Sequence, residues 1–363
     1  MPGLYIGLMS GTSMDGIDAV LIAMDASPVL LQHVHHPLPP QLRETLLALN
    51  MPGNDELHRA ASAANALALN YAAATSALLA QSRQTATQVA AIGCHGQTVR
   101  HNPGAGYTIQ LVNGALLAEL TGISAICDFR SRDIAAGGEG APLVPAFHQA
   151  VFAHPGISRA VVNIGGIANV TWLPARDAKV IGFDCGPGNV LMDGWIAQHQ
   201  QCAYDKNGTW ATRGQVLPEL LDRLFMHDFF LRPPPKSTGR DSFNLDWLQQ
   251  ALTGHERPEN VQATLLELTA RGIARAIETH CTDIEEIYLC GGGARNTALS
   301  ERLAALLPQN HIDTTESLGW AVDTVEAAAF AWLAAQTLAG KPGNLPRVTG
   351  ACGTRVLGAI YPA

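Results

Sequence analysis

The sequence has no cysteine pairing of the kinds that mark disulfide scaffolds or zinc sites. Its seven cysteines are an odd number, scattered from Cys94 to Cys352, and no two of them form a C-x-x-C pair. The first residues also lack the basic start and apolar core of a signal peptide, because Ser10 and Asp15 follow the first apolar residues closely. We therefore expect the protein to work in a reducing cytoplasm.

An excess of basic charge is also missing. The formal net charge is -8 and the sequence pI is near 5.9. This balance argues against bulk binding to nucleic acid or to an anionic membrane surface. The most apolar late segment, residues 320–340, carries Asp323 and Glu326, which predicts a packed helix and not a membrane span. An anionic small substrate would need basic residues gathered locally.

The two common phosphate-binding motifs are absent as well. No G-x-x-x-x-G-K-[ST] occurs, and the glycine run that starts at Gly291 reads G-G-G-A-R-N rather than G-x-G-x-x-G. P-loop and Rossmann folds are therefore disfavoured. A nucleotide held between glycine-containing hairpin loops remains compatible with the sequence.

The chain is long enough for two domains, because 363 residues exceed the roughly 250–300 at which single cores stop growing. A β-β-β-α-β-α-β pattern fills the first 127 residues and starts again near residue 160. Short segments also correspond, since Gly16-Ile17-Asp18-Ala19-Val20 is matched by Gly166-Ile167-Ala168-Asn169-Val170. This repeat predicts a duplicated α/β fold whose two lobes enclose a cleft.

The periodicity also predicts the bounds of the elements and lobes. The strands are expected at residues 4–9, 17–24, 29–34, 89–94 and 123–127, and then at 160–163, 167–172, 180–183, 287–290 and 311–314. The helices are expected at 41–49, 56–80, after Asn113, and at 190–198, 294–307 and 323–338. The first lobe is predicted to comprise residues 1–132 with 342–363, and the second lobe 133–341 with an insertion at about 200–257.

The stretch from Ile181 to Asn189 is the strongest candidate site. Its apolar start predicts a strand, its Gly-Pro-Gly predicts a turn, and Asn189 is a good N-cap for the next helix. Asp184 would then lie at the tip of the strand beside a helix N-terminus that favours anions. The arrangement suits a phosphate next to a carboxylate base. A turn in which Asp184 only hydrogen-bonds nearby backbone is the alternative.

A second glycine-containing loop, residues 10–16, joins the first two strands. It is rich in hydroxyl and glycine residues, so it can offer N–H and O–H donors to an anion. Asp15 or Asp18 could orient Mg²⁺ through water, or only brace the hairpin. His33, His35 and His36 are interpreted as surface residues, because no third ligand type lies near them in sequence.

Seven segments resemble one known family within the actin, hexokinase and Hsp70 ATPase fold. They are residues 7–16 (GLMSGTSMDG), 93–98 (GCHGQT), 128–133 (DFRSRD) with Gly137-Gly138, 163–169 (NIGGIAN), 182–189 (GFDCGPGN), 236–240 (KSTGR) and 290–296 (CGGGARN). These segments are similar to those of the anhydro-N-acetylmuramic acid kinases. The similarity runs from the first residues to the last helix.

The resemblance implies an enzyme that takes 1,6-anhydro-N-acetylmuramic acid from peptidoglycan, adds water at C1 and transfers the γ-phosphoryl group of ATP to O6. Asp184 matches the catalytic base of the family, which deprotonates the attacking water. Mg²⁺ is expected to accompany ATP. The resemblance also suggests a homodimer, with no nucleic-acid or membrane partner.

Two groups of binding residues are expected from these segments. For ATP they are Gly11, Thr12, Ser13, Met14, Asp15, Gly16, Ile17, Asp18, Asn163, Gly165, Gly166, Gly186, Gly188, Gly291, Gly292 and Asn296. For the sugar they are His95, Thr98, Arg130, Gly137, Gly138 and Glu326, with Arg132 as a further candidate.

Several alternatives stay open at the level of sequence. The enzyme could be an ordinary amino-sugar or hexose kinase that consumes no water, or a nucleotide-gated binding ATPase of the actin or Hsp70 type. Arg130 and Arg132 could form an interdomain salt bridge with Asp128 or Asp133. His95 could be a core histidine, and Glu326 could cap its own helix.

Overall fold

The computed structural model describes residues 3–11, 14, 16–25, 27–175 and 179–363. Three residues of the expected nucleotide loop, Thr12, Ser13 and Asp15, therefore lie outside the described part. The chain divides into two compact units, residues 1–151 with 324–363 and residues 152–323. These divisions differ from the lobe boundaries expected at 132/133 and 341/342.

Among its described residues, the N-terminal part of the first unit contains seven strands and five α-helices. The strands are β1 (Leu4–Met9), β2 (Gly16–Ala23), β3 (Val29–Pro37), β4 (Val89–Cys94), β5 (Gln97–Asn102), β6 (Tyr107–Leu111) and β7 (Ala125–Cys127). The helices are α1 (Pro40–Ala48), α2 (Glu56–Ser82), α3 (Gly114–Thr121), α4 (Ser131–Ile134) and α5 (Val144–Phe152), the last of which ends at the unit boundary.

The second unit contains five strands and five α-helices among its described residues. The strands are β8 (Arg159–Ile164), β9 (Ile167–Leu173), β10 (Ile181–Pro187), β11 (Glu286–Cys290) and β12 (His311–Thr314). The helices are α6 (Val190–Gln200), α7 (Pro218–Phe225), α8 (Leu245–Ala251), α9 (Pro258–His280) and α10 (Thr297–Leu306). The chain then returns to the first unit with α11 (Val325–Leu338), α12 (Pro346–Thr349) and β13 (Ala359–Tyr361).

The two main sheets share one topology. In the first unit the order is β3-β2-β1-β4-β7, extended by β13, and in the second it is β10-β9-β8-β11-β12. In each sheet the first three strands pair antiparallel, and the first strand pairs parallel with the fourth. The duplicated α/β fold expected from the sequence, of the actin and hexokinase type, is therefore confirmed.

Helix α11 lies directly on the first sheet because two strand residues lack side chains. A Cβ atom at Gly7 on β1 would overlap the carbonyl of Ala327, and one at Gly93 on β4 would overlap that of Phe330. Glycine permits this close backbone approach. The contact places the first turn of α11, which contains Glu326, next to the sheet.

Long helices complete both cores. In the second unit α9 buries fifteen of its 23 residues, including Leu265, Leu268 and Ile273. In the first unit α2 buries Leu67, Tyr71 and Leu78 against the sheet. By length and composition α2 is the one described helix that could cross a membrane. Core helices pass the same test, and α2 has such a buried face.

Two features differ from the expectation. The sequence pattern missed the β5–β6 hairpin, a separate two-stranded sheet whose first strand is mostly polar. The pattern also ended β10 at Phe183, whereas the strand continues to Pro187. A register shift between Asp184 and Gly186 allows β10 to keep pairing with β9 through the glycine-containing segment.

Candidate functional site

The second unit gathers its candidate residues at one edge of its sheet. Strands β8, β10 and β11 run in the same direction, so their carboxyl ends meet at one edge. Ligands of open α/β sheets bind outside such edges. Asn163 and Gly165 lie at the end of β8, Gly291 follows β11, and Asp184 is the middle residue of β10.

Asp184 lies inside β10, opposite Asn169 of β9, and not at the tip of the strand as the sequence suggested. Its backbone N–H donates to the carbonyl of Lys236 at 3.1 Å. The backbone N–H of Thr238 donates to Oδ2 of the carboxyl group at 2.9 Å. Segment 236–238, which belongs to the expected insertion, therefore fixes both the backbone and the side chain of Asp184. Its Oδ1 atom makes no hydrogen bond to other described residues.

Asp184 is partly exposed as a residue, but its carboxyl group lies in a poorly solvated place. Burial raises its pKa to about 7, although the Thr238 N–H and the positive charge of Lys236 lower it. The group therefore exchanges a proton near neutral pH. A carboxyl with this pKa is suited to general base catalysis.

The two glycine turns of the second unit bond to each other. The N–H of Asn189 donates to the carbonyl of Gly165 at 2.8 Å, and those of Gly188 and Val190 donate to Gly166 at 2.9 and 3.1 Å. These three N–H groups are consequently unavailable to a phosphate. Asn189 occupies the N-cap position of α6 as expected, but its side-chain amide donates to the carbonyl of Ile164 at 3.2 Å and makes no capping hydrogen bond.

Gly186 and Gly188 have packing reasons to lack side chains. A Cβ atom at Gly186 would lie 2.8 Å from Cε1 of Phe230, and one at Gly188 would overlap the carbonyl of Gly165. The expected contact of Gly186 and Gly188 with ATP stays a prediction. Such a contact would be made by their backbone atoms.

The loop after β11 lies beside the end of β8. Asn163 is buried, and its Oδ1 contacts the Cys290 thiol at 3.8 Å. The exposed Gly292 leaves open space where a side chain would be. Asn296 caps α10 by accepting a hydrogen bond from the N–H of Leu299 at 3.2 Å, so its side chain has a structural role.

The first unit has a comparable edge. Strands β1, β4 and β7 are parallel, and their carboxyl ends lead to Gly11, His95 and Arg130. Of the nucleotide loop, the described residues are Ser10, Gly11, Met14 and Gly16. The side chains of Met14 and Ile17 are buried in the core, so only their backbones could contact ATP.

Asp18 on β2 is held by two histidines of β3. Its Oδ1 lies 3.1 Å from Nε2 of His33 and 3.0 Å from Nδ1 of His35. The His35 ring also covers Gly16, where a Cβ atom would overlap it. His35 is exposed and His33 partly exposed, as expected of surface residues, but sequence reasoning missed their contact with Asp18. A signal was present in the sequence, because alternate residues of a strand lie on one face.

The buried His95 pairs with the partly exposed Arg130 in the first unit. Nδ1 of His95 lies 2.8 Å from the carbonyl of Gly96, so it carries the proton, and Nε2 accepts from Nε and Nη2 of Arg130 at 3.1 and 2.9 Å. Burial and the charge of Arg130 hold the pKa of His95 well below its usual range. The histidine is therefore neutral and orients the guanidinium group.

The salt-bridge alternative for the arginines does not apply within the described residues. Neither Arg130 nor Arg132 forms an ion pair there with Asp128 or Asp133. Arg130 instead donates from Nη1 to the carbonyl of Gly140 at 2.8 Å. Burial lowers its pKa to about 10, which leaves it charged at neutral pH.

Asp133 organises the loop that contains Gly137 and Gly138. It is fully buried, and its oxygens accept hydrogen bonds from the Gly140 N–H at 2.8 Å, the Asn344 amide at 2.6 Å and the Thr349 hydroxyl at 2.8 Å. Gly138 lies against this carboxylate. Sequence reasoning missed this role because Asn344 and Thr349 are more than 200 residues away.

Glu326 and Thr98 complete the expected sugar residues. Burial raises the pKa of Glu326, while Arg130 lowers it and Asp18 raises it. The Glu326 carboxyl makes no hydrogen bond or ion pair to another described residue, and the helix-cap alternative is not observed. The Thr98 hydroxyl accepts a hydrogen bond from the Gln110 amide at 3.2 Å.

The described residues contain no cluster of three histidine, cysteine or carboxylate side chains that could hold a metal ion. Mg²⁺ commonly keeps several waters and binds through one or two carboxylates together with substrate phosphates.

Comparison with known proteins gives a consistent result over the whole chain. A sequence profile of the family described as anhydro-N-acetylmuramic acid kinase matches residues 3–363. Proteins with that name are 58% identical in Nitrosospira multiformis and 55% identical in Nitrosomonas europaea, each over 362 residues that cover 99% of both chains. One from Chromobacterium violaceum is 51% identical over 367 residues, which cover 100% of both chains.

Two solved structures are similar to this chain at low sequence identity. A ROK family glucokinase from Streptomyces griseus, in complex with glucose and AMPPNP, has 13% identity and a TM-score of 0.41, with coverage of 92% of this chain and 100% of that one. An activator of the 2-hydroxyisocaproyl-CoA dehydratase from Clostridium difficile has 12% identity and a TM-score of 0.45, with coverage of 93% and 97%. TM-scores below 0.5 carry no argument about function.

Proposed function

The chain belongs to the anhydro-N-acetylmuramic acid kinase family, and from that membership we propose that it converts 1,6-anhydro-N-acetylmuramic acid and ATP into N-acetylmuramic acid 6-phosphate and ADP. The reaction adds one water at C1, opens the anhydro bridge and phosphorylates O6. Such a step returns a cell-wall sugar to metabolism, so it belongs to peptidoglycan recycling.

Asp184 acts as the general base in this proposal. Its Oδ1 atom takes a proton from the water that attacks C1, the C1–O6 bond breaks, and its electron pair goes to O6. O6 then attacks the γ-phosphorus, ADP leaves, and the proton on Asp184 passes to solvent. The observation that supports this role best is a partly exposed carboxyl group with a pKa of about 7 that Thr238 holds through its other oxygen.

The glycine turns at the sheet edges are the proposed ATP contacts. The candidate glycines with backbone partly or fully exposed are Gly11, Gly165, Gly166, Gly291 and Gly292. Mg²⁺ bound to the triphosphate would neutralise charge during transfer. Asp18, held by His33 and His35, is a candidate to accept a hydrogen bond from its waters.

Arg130 and Glu326 are the proposed sugar contacts. A guanidinium group that stays charged at neutral pH is suited to the lactyl carboxylate of the substrate. The unpaired Glu326 carboxyl is suited to sugar hydroxyl groups. His95 has both ring nitrogens occupied by protein groups, so it would act on the sugar through Arg130.

The proposal also covers the compartment, the oligomeric state and the partners of the protein. We expect it in the cytoplasm as a homodimer, with no nucleic-acid or membrane partner. All seven cysteines are free thiols, which is compatible with a reducing compartment.

Running the reaction in ¹⁸O-labelled water tests the proposal. Borodeuteride quenching fixes the anomeric oxygen, and mass spectrometry then locates the label. We expect one ¹⁸O at C1 and none in the phosphate group. Product incubated alone in labelled water for the same time controls for exchange during mutarotation. An unlabelled C1 would instead support an ordinary amino-sugar kinase, and ATP turnover that no amino sugar stimulates would support a nucleotide-gated ATPase.

A further inference from the structure

A pocket of about 260 Å³ lies within the second unit, behind the strand that carries Asp184. Cys185 of β10 and Gly272 of α9 contribute to its lining, and Phe225 and Phe230 contribute aromatic surface. The two rings lie 4.8 Å apart between centroids. The pocket thus offers apolar walls to a small organic molecule.

Three cations surround this pocket, namely Arg232, Lys236 and Arg275. None of its lining residues is a carboxylate, and none of the three cations forms an ion pair within the described part of the chain. In a chain with a net charge of -8, such a cluster marks a local site for negative charge.

Aromatic rings and backbone hold two of these cations in place. Nζ of Lys236 lies 4.6 Å from the ring centroid of Phe229 and donates to that residue's carbonyl at 3.3 Å. The guanidinium carbon of Arg275 lies 5.0 Å from the ring centroid of Phe225. Cation–π contacts orient a charge without neutralising it. The cations are therefore positioned yet still able to pair with an anion.

We propose that this pocket binds a small phosphate monoester with an apolar body, distinct from the substrates of the proposed reaction. The phosphate would pair with Arg232, Lys236 and Arg275, since several convergent cations are suited to a dianion. The apolar body would lie against Phe225 and Phe230.

Three contacts connect the pocket to β10, the strand that carries Asp184. Cys185 follows Asp184 directly and lines the pocket. The ring of Phe230 lies against Gly186, and the carbonyl of Lys236 accepts the N–H of Asp184. A ligand that moves Phe230 or Lys236 would therefore act on the position of the base.

The charge of the ligand would act on Asp184 as well. The titratable and charged groups that act on Lys236 are Asp184 and Cys185 on β10, Arg232 on its own segment, and Arg275 and His280 on α9. Because Lys236 lowers the pKa of Asp184, an anion paired with Lys236 would offset that effect. Less Asp184 would then be ionised at neutral pH, so the ligand would inhibit. This coupling rests on the proposed role of Asp184, whereas binding does not.

Titration with phenyl phosphate, followed by ³¹P NMR, tests the binding. We expect a dissociation constant on the order of 1 mM or tighter for the full chain. Arg275→Gln should weaken binding at least about tenfold and Arg275→Lys should weaken it less. Arg257→Gln removes an exposed arginine of the same unit outside the pocket, so it is the matched control. Equal affinity in Arg275→Gln, Arg232→Gln and the control would overturn the proposal, as would no binding at all.

A kinetic measurement tests the coupling separately. Phenyl phosphate should move the acidic limb of the pH profile of kcat/KM to higher pH, and phenol at the same concentration should not. Binding that Arg275→Gln abolishes, without any shift of that limb, would keep the site and remove its link to Asp184. An inactive enzyme that still binds the probe through Arg275 would contradict the proposed reaction alone.

Discussion

Thr238 donates its backbone N–H to Oδ2 of Asp184 at 2.9 Å, across 54 residues of sequence. The return contact, from the N–H of Asp184 to the carbonyl of Lys236, is 3.1 Å long. One backbone-to-side-chain and one backbone-to-backbone hydrogen bond therefore join the expected insertion to β10 around the proposed base. The insertion helps to position Asp184 and is not only a surface extension.

Replacing Asp184 by Asn should remove turnover while ATP still binds. The amide cannot accept a proton from water, so we expect kcat to fall by at least about 10²-fold, as for a lost general base. The dissociation constant for ATP should stay within severalfold, because the side chain is not placed against the nucleotide. Steady-state kinetics and calorimetry measure the two quantities.

The control for this variant is Asp222→Asn, which changes an exposed aspartate of the same unit. Its turnover should equal that of the unmodified enzyme. Near-normal turnover of Asp184→Asn would assign the base to another residue.

The rate should also depend on the ionisation of Asp184. Its pKa is raised to about 7, and the base acts only when ionised. We therefore expect kcat/KM for the sugar to be constant at high pH and to fall about tenfold per unit at pH values well below 7. Lys236→Met should move this limb to higher pH, because the lysine charge lowers the pKa of Asp184.

Lys206→Met is the matched control for the pH profile, since Lys206 is an exposed lysine of the same unit outside the pocket around Lys236. Its profile should coincide with that of the unmodified enzyme. A limb that stays in place in Lys236→Met, or moves to lower pH, would show that the lysine does not tune the base.

Sequence periodicity was sufficient for the duplicated fold but not for the details around Asp184. Apolar alternation located β1, β4 and β12 at their observed bounds. It ended β10 too early because Gly186 and Pro187 are typical of turns, whereas pairing with β9 and packing of Phe230 keep that segment extended. Tertiary contacts, and not local sequence, therefore determine where β10 ends.

Site residues could be predicted from the sequence where their role depends on neighbours within one motif. The motif around Asp184 identified a base, but neither its raised pKa nor its contact with Thr238 follows from neighbours in sequence. The pair of His95 and Arg130 likewise joins two motifs separated by 35 residues. Such pairings depend on which strand ends meet in the sheet.

Arg130 should be important for binding of the sugar. In Arg130→Gln we expect KM for the anhydro sugar to rise at least about tenfold with KM for ATP nearly unchanged, since a charge-assisted contact is lost. His95→Phe should raise KM for the sugar less, because the histidine only orients the guanidinium group. Steady-state kinetics with each substrate varied in turn measures both constants.

A variant with both His95→Phe and Arg130→Gln shows whether His95 orients Arg130 or contacts the sugar directly. If His95 acts through Arg130, adding His95→Phe to Arg130→Gln should change KM little further. Arg43→Gln is the control, because Arg43 is an exposed arginine of the same unit and has no ion pair among the described residues. Additive effects of the two substitutions would mean that His95 contacts the sugar itself.

The contact between Gly7 and α11 should be sensitive to a single added methyl group. A Cβ atom there would overlap the carbonyl of Ala327, so Gly7→Ala must push the helix off the sheet. Overpacking of this kind typically costs about 1–3 kcal/mol, which should lower Tm by several degrees. Gly104→Ala adds the same methyl group at an exposed position, where the nearest atom would be 3.8 Å away, and should leave Tm nearly unchanged. Because α11 also carries Glu326, Gly7→Ala should raise KM for the sugar at temperatures where the protein is still folded. An unchanged Tm in Gly7→Ala would mean that the helix can shift without loss of packing.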